Sequence, residues 1–255
     1  MKSSARIWVV LAIIAATILV VPSILGWASN PDVVSAADSE WSRRSEPNMA
    51  DAIIKTLEEA SRVGAPDADV MWRLARAYWW KAARYTSDRA AKIELLDKGK
   101  AAGEQATKLD PNDADAHYWH AATVAQAGQI KGILQSLFMV KPVKEALDKA
   151  LAADPNHASS HYLMAELLSQ VPGPPLSIGN KQKAVEEARL AVKFDPKESC
   201  HHLVLAKALI ATKQYKEARG VLNFVLSMPL DIADPEGTRL DQEEARAELK
   251  SIQGK

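Results

Sequence analysis

Four prolines divide most of this chain into nearly equal lengths. Pro66, Pro111, Pro155 and Pro196 stand 45, 44 and 41 residues apart. Three of them follow an aspartate, as Asp110-Pro111, Asp154-Pro155 and Asp195-Pro196. A proline disfavours helix at the residue before it and suits the first turn of a new one, so each step predicts one helix ending and the next opening. A small residue follows each proline at a similar distance. A period of this length marks an architecture of repeated helical units that bury their apolar faces on one another.

The segments after the prolines carry Leu74-Ala75-Tyr78, His120-Ala121-Val124, Met164-Ala165-Leu168 and Leu205-Ala206-Leu209. Alanine takes the small position all four times, which lets a second helix pack close while the larger neighbours fill the flanking gaps. Matching stripes precede the next prolines: Leu147 and Ala150 before Pro155, then Ala184, Ala188 and Ala191 before Pro196. The last unit closes on Ala218, Leu222 and Val225. The predicted fold is all-α: a superhelix of about four helical hairpins. Met49, Ile53, Ile54, Leu57 and Ala60 predict a capping helix before it, and Ala245, Leu249 and Ile252 one after it.

This pattern over residues 51–252 resembles the tetratricopeptide repeat family. Val70-Met71-Trp72-Arg73-Leu74-Ala75-Arg76-Ala77-Tyr78 and the loop Val171–Gly179 narrow the resemblance. They are similar to the branch that joins the T-component proteins of TRAP transporters to the regulator of microtubule dynamics proteins. The chain departs from the general pattern in two ways. Trp72 sits one residue closer to its leucine, and extra residues separate first from second helices around 85–89, 129–143 and 170–182. T-component proteins are typically lipoproteins, and no anchoring cysteine stands near residues 20–30 here.

Lys2 and Arg6 precede an uncharged stretch from Ile7 to Pro31, and the next charges are Asp32, Asp38 and Glu40. A positive flank stays inside, so the rest of the chain is expected to be exported. Residues 1–31 read either as a cleaved signal peptide or as a retained membrane anchor, the apolar stretch being longer than a usual signal core. Residues 32–50 are polar without sustained periodicity and are expected to be a tether.

Lys+Arg and Asp+Glu both number 32 in the 255 residues, which argues against a nucleic-acid partner. The lone cysteine, Cys200, excludes an internal disulfide or a Cys-based zinc site. His117, His161 and His202 each lie six residues after a repeat proline, with His120 and His201 nearby. Equivalent positions in successive repeats are about 10 Å apart, too far for shared ligation, so these histidines are expected to pack between helices and not to bind metal. No cofactor is expected.

If the units stack as hairpins, their first helices line a concave wall. Trp72 and Arg76, Tyr118 and Gln126, Tyr162 and Glu166, and Lys207 are the candidate partner-binding residues, while Trp79 and Trp80 are expected to close the amino-terminal end of the core. The apolar insertion Gly132–Val143 is expected to pack within the chain, and Val171–Gly179 to form a fixed loop at one mouth of the groove. No phosphate loop, nucleophile elbow or metalloprotease motif occurs, so no enzymatic activity is expected. The function read from these residues is an exported, periplasmic scaffold tethered to the inner membrane, whose groove takes a peptide or protein partner. The T-component resemblance implies an alternative: a self-associating helper of transport that works with a periplasmic binding protein to take up a small organic ligand.

Overall fold

The computed structural model describes residues 30–63 and 66–255. Its order is α1 (Asn30–Trp41), α2 (Met49–Arg62), α3 (Ala68–Arg84), α4 (Arg89–Leu109), α5 (Ala114–Lys131), α6 (Ile133–Ala153), α7 (Ala158–Gln170), α8 (Lys181–Phe194), α9 (Ser199–Ala211), α10 (Tyr215–Ser227) and α11 (Pro235–Ser251). No strand occurs among the described residues. The hairpins α3–α4, α5–α6, α7–α8 and α9–α10 follow one another, preceded by α2 and closed by α11. The stretch from Ile7 to Trp27, read as a signal or anchor, lies outside the described residues. No described helix is long and apolar enough to cross a membrane.

The alanines hold the stack together. Ala75, Ala121, Ala165 and Ala206 are completely buried, as are Ala184, Ala188, Ala191 and Ala218 on the second helices. Between α4 and α5 the approach is closer still. A methyl group on Gly103 would fall 2.8 Å from the Cα of His120, and one on Gly99 2.9 Å from the Thr123 Cγ2. Two main cores result, one from α1 to the start of α5 and the other from α5 to α11, with the half-buried Trp119 touching both; Ala82, Leu96 and Ala127 form a third, smaller cluster.

The aspartate–proline steps do not open helices. The helices start three residues later, at Ala114, Ala158 and Ser199. Asp110, Asp154 and Asp195 cap the preceding helices, and each carboxylate accepts from the backbone N–H two residues on, at 2.9, 2.8 and 3.2 Å. These are Asx turns, which satisfy an amide that no helix would. The histidine six residues on closes the other side: His117, His161 and His202 bring Nε2 to the carbonyl of Pro111, Pro155 and Pro196 at 2.9, 3.0 and 2.9 Å. All three imidazoles are buried. Their spacing therefore reflects a clamp on the inter-repeat turn. Among the described residues, no three His, Cys, Asp or Glu side chains come together as a metal site.

Residues 32–50, expected as a tether, are folded onto the domain for most of their length. α1 buries Ala37 completely and packs Val33, Val34 and Trp41 against α2 and α3. Polarity concealed this helix from periodicity, because much of its docking runs through charges and an indole. The insertion at 132–143 becomes the first turns of α6, with Gly132 in a positive-φ conformation (φ 112°) that glycine tolerates. Val140 and Val143 face inward, whereas Leu137 and Phe138 are exposed. The 171–179 loop is drawn shut by Gly179 N–H donating to the Pro172 carbonyl at 2.9 Å.

Two outcomes test this packing. Ala165→Leu inserts three carbons into a filled contact, which typically costs roughly 1–3 kcal/mol. The expected result in thermal denaturation is a Tm lower by several degrees, whereas Ala101→Leu on the exposed face of α4 leaves it unchanged. Equal Tm values would refute the close-packing account.

His161 supplies the second test. Both of its neighbours accept: Pro155 O at Nε2 and the Glu187 carboxylate at Nδ1, 2.7 Å away. Only an imidazolium donates from both nitrogens. Burial opposes that charge, but the bonds to Glu187 and Pro155 outweigh it and raise the pKa above the ordinary value. The stabilisation is complete below the unfolded pKa of about 6.5 and fades as pH rises through the folded value. His161→Gln should therefore lower Tm more at pH 5.5 than at pH 8.5. A loss independent of pH would remove Glu187 from the account.

Candidate functional site

The first helices α3, α5, α7 and α9 present one face to the inside of the superhelix, as hairpin stacking requires. Matching positions carry Trp72, Tyr118, Tyr162 and Leu203, then Arg76, Ala122, Glu166 and Lys207. The wall divides into an amino-terminal part that α1 covers and a carboxy-terminal part that it does not.

The covered part lies under α1. Trp72 and Arg76 are only 7% and 9% exposed. Arg73 grips both oxygens of Asp38, with Nε at 2.9 Å and Nη2 at 2.7 Å, and Arg76 Nη2 reaches the same carboxylate at 3.0 Å. Arg73 also holds Asp69 at 2.6 Å, and Trp72 Nε1 donates to that carboxylate at 3.3 Å. Partial burial would raise the Asp38 carboxyl, but the two arginines outweigh it and hold the group below the ordinary range. Burial lowers Arg76 to about 10 against the pull of Asp38, which leaves it charged at neutral pH. Its guanidinium lies 4.1 Å above the Trp41 ring, and Arg73 lies 4.0 Å above Trp72.

Trp41 continues the contact. It stands edge-on to Trp80 at 5.5 Å and to Trp119 at 6.5 Å, and Trp119 in turn meets Trp79 at 5.7 Å and Tyr118 at 4.8 Å. Trp80 is buried beneath Trp41, whereas Trp79, expected beside it at the amino-terminal end, packs through Trp119 against the core of the later repeats. The chain then folds over at Arg44, whose carbonyl accepts from Tyr85 Oη at 3.0 Å and Trp80 Nε1 at 3.4 Å. Its guanidinium pairs with Asp231 at 3.2 Å, and Arg84 pairs with Asp234 at 2.8 Å, so the α10–α11 turn is fastened to the first repeat.

The uncovered part carries the other candidates. Tyr118 is 9% exposed, its ring between Trp119 and His157, so less of it reaches the wall's surface than the sequence suggested. Tyr162, Glu166, Gln126 and Lys207 are half-buried. Burial raises the Glu166 carboxyl against the pull of Lys207 and the Tyr162 hydroxyl. Burial also opposes the charge on Lys207, but its 2.7 Å bond to Glu244 on α11 outweighs it. Cys200 stands on the same face beside Asp241 and Glu166, and burial pushes its thiol up, so it is not a ready nucleophile. Gln126 Oε1 and Ser169 Oγ are shielded from water and have no hydrogen-bond partner in the structure.

Of the seven residues expected at the site, the structure brings Tyr118, Tyr162, Glu166 and Lys207 into one neighbourhood. Trp72 and Arg76 belong to the α1 contact, and Gln126 lies at the far end of α5. Sequence reasoning missed Asp38, Trp41, Arg44 and Trp119. The one available signal was an indole at position 41, unusual in so polar a stretch.

The chain has no significant match among curated protein sequences. Among solved structures it is similar to TTC0263, a thermophilic TPR protein of Thermus thermophilus. That likeness has a TM-score of 0.62 at 14% identity and covers 86% of this chain and 100% of that one. A weaker likeness is to MamA (residue 41 to the end) of Desulfovibrio magneticus RS-1, with a TM-score of 0.47, 18% identity and coverage of 80% and 96%. The first of these establishes a tetratricopeptide-type superhelix. The family model of regulator of microtubule dynamics protein 1-3 matches residues 33–171, more than half of the chain and beginning within α1. The chain belongs to the regulator of microtubule dynamics protein 1-3 family.

Proposed function

We propose that this protein is an adaptor with no chemistry of its own, which holds a peptide or protein segment on the uncovered part of its concave wall. It works outside the cytoplasm, tethered to the membrane by residues 1–31. The observation that carries this reading is the row of half-buried polar side chains on one face of successive first helices: Gln126, Tyr162, Glu166 and Lys207. Such groups are only partly solvated, and Gln126 Oε1 and Ser169 Oγ lack partners altogether. The half-buried side chains of this row keep some exposed surface, at which a bound segment's amides and hydroxyls can replace water. Tyr162 adds an amphipathic ring at low entropic cost. The repeated wall, the fold shared with TTC0263 and the absence of any catalytic motif all favour binding over catalysis.

Tyr162→Ala with Lys207→Glu should lose the partner that affinity capture recovers with the native chain, with helical circular dichroism unchanged. Recovery of the same partner by the variant would place binding elsewhere. The tether has its own test, in which deletion of residues 1–29 moves the protein from the membrane fraction to the soluble one. A deleted chain that still sediments with membranes would refute it.

A further inference from the structure

We infer that α1 is a ligand carried in cis. The amino-terminal end of the concave wall is a receptor for a helix that presents a carboxylate and an indole three residues apart, and Asp38 and Trp41 occupy it here. This rests on reading the concave wall as the binding face, because α1 covers the wall positions of the first repeat.

The receptor is built before α1 arrives. Arg73, Arg76, Trp72 and Trp80 come from α3, and Trp119 from α5, all on elements held by their own hairpins. Two guanidiniums converge on one carboxylate, which is geometry for recognising an acid. Arg76 has a second engagement with the indole of the same helix. Its Nε is shielded and without a partner, so the grip of α1 leaves part of that guanidinium unsatisfied.

α1 is also separable in a way that α2 is not. α2 buries Ala50, Ile53, Ile54 and Leu57, the ordinary apolar face of a core helix. Among the described residues of α1, Ala37 alone is completely buried, Val33, Val34 and Trp41 pack only partly against the core, and Asp38 is exposed. Elements with few buried apolar contacts open at free energies well below global unfolding. The connection to α2, residues 42–48, is non-helical, so α1 can swing without breaking a helix once Trp41 lets go of Arg44, which stays fastened to Tyr85, Trp80 and Asp231. When it swings away, Asp38 leaves Arg73 and Arg76, and Trp41 exposes Trp80 and Trp119. A partner's helix of the same chemistry then fits the vacated surface, in the helix-in-groove mode.

The test uses the full chain carrying Asp38→Ala and Trp41→Ala as host, and a fluorescent synthetic peptide of residues 30–46 as probe. The host should bind the peptide at least tenfold more tightly than the native chain, whose site is filled. A peptide with the same two substitutions should not bind, and adding Arg76→Glu to the host should abolish binding. Equal binding by host and native chain, or binding indifferent to Arg76→Glu, overturns the inference. A host that loses its cooperative melting transition overturns it too, since α1 would then be part of the core. Hydrogen exchange on the native chain gives an independent reading: α1 amides should exchange well before those of α2, and joint exchange is a negative result. The pair Tyr162→Ala and Lys207→Glu leaves this receptor intact, so failure here is distinguishable from failure of the uncovered wall.

Discussion

Close approach of helices through side chains of one carbon or none is the interaction on which everything else in this structure depends. Ala75, Ala121, Ala165 and Ala206 admit the neighbouring helix, and Gly99 and Gly103 let α4 come nearer to α5 than any Cβ would permit. Because these contacts recur at one position per repeat, each hairpin is rotated against the last by a similar amount, and the first helices end up along the inside of a curve. The wall follows from the alanines. What the wall carries varies from repeat to repeat, from tryptophan and arginine in α3 to tyrosine, glutamate and lysine further on, although Trp72 and Tyr118 are themselves part of the core.

The turns between repeats show how a small motif resists fraying of such a stack. Aspartate accepts an amide two residues ahead, proline fixes the backbone between, and a histidine six residues after the proline reaches back to its carbonyl. The prolines are exposed but the imidazoles are buried, so the carbonyl gives each shielded ring nitrogen a partner in all three places. In one of them, at His161, a second acceptor turns the same clamp into a charged one.

Much of this was legible in the residues. The period of the prolines, the alanine at a fixed place and the amphipathic caps predicted four hairpins and two closing helices, and these signals are local, carried by residues that meet their neighbours across one or two turns. The candidate site was legible only in part. Register placed Tyr162, Glu166 and Lys207 on the wall, but register is blind to what lies on top of a wall. Tyr118 shares its register with Tyr162, yet Trp119 and His157 enclose it. Trp72 and Arg76 share it too, and they are covered by a segment with no apolar stripe to announce it.

What the sequence by itself determined is the helical repeat, its length and its inward-facing positions, because those depend on side-chain volume recurring at fixed spacing. Only the tertiary structure decided which of those positions remain uncovered. That choice rests on Asp38, Trp41 and Arg44 meeting partners 35 to 187 residues away, at Arg73, Trp119 and Asp231. A salt bridge or an indole edge over such separations leaves no periodic trace in the chain; it exists only once the superhelix has brought its two ends within reach of each other.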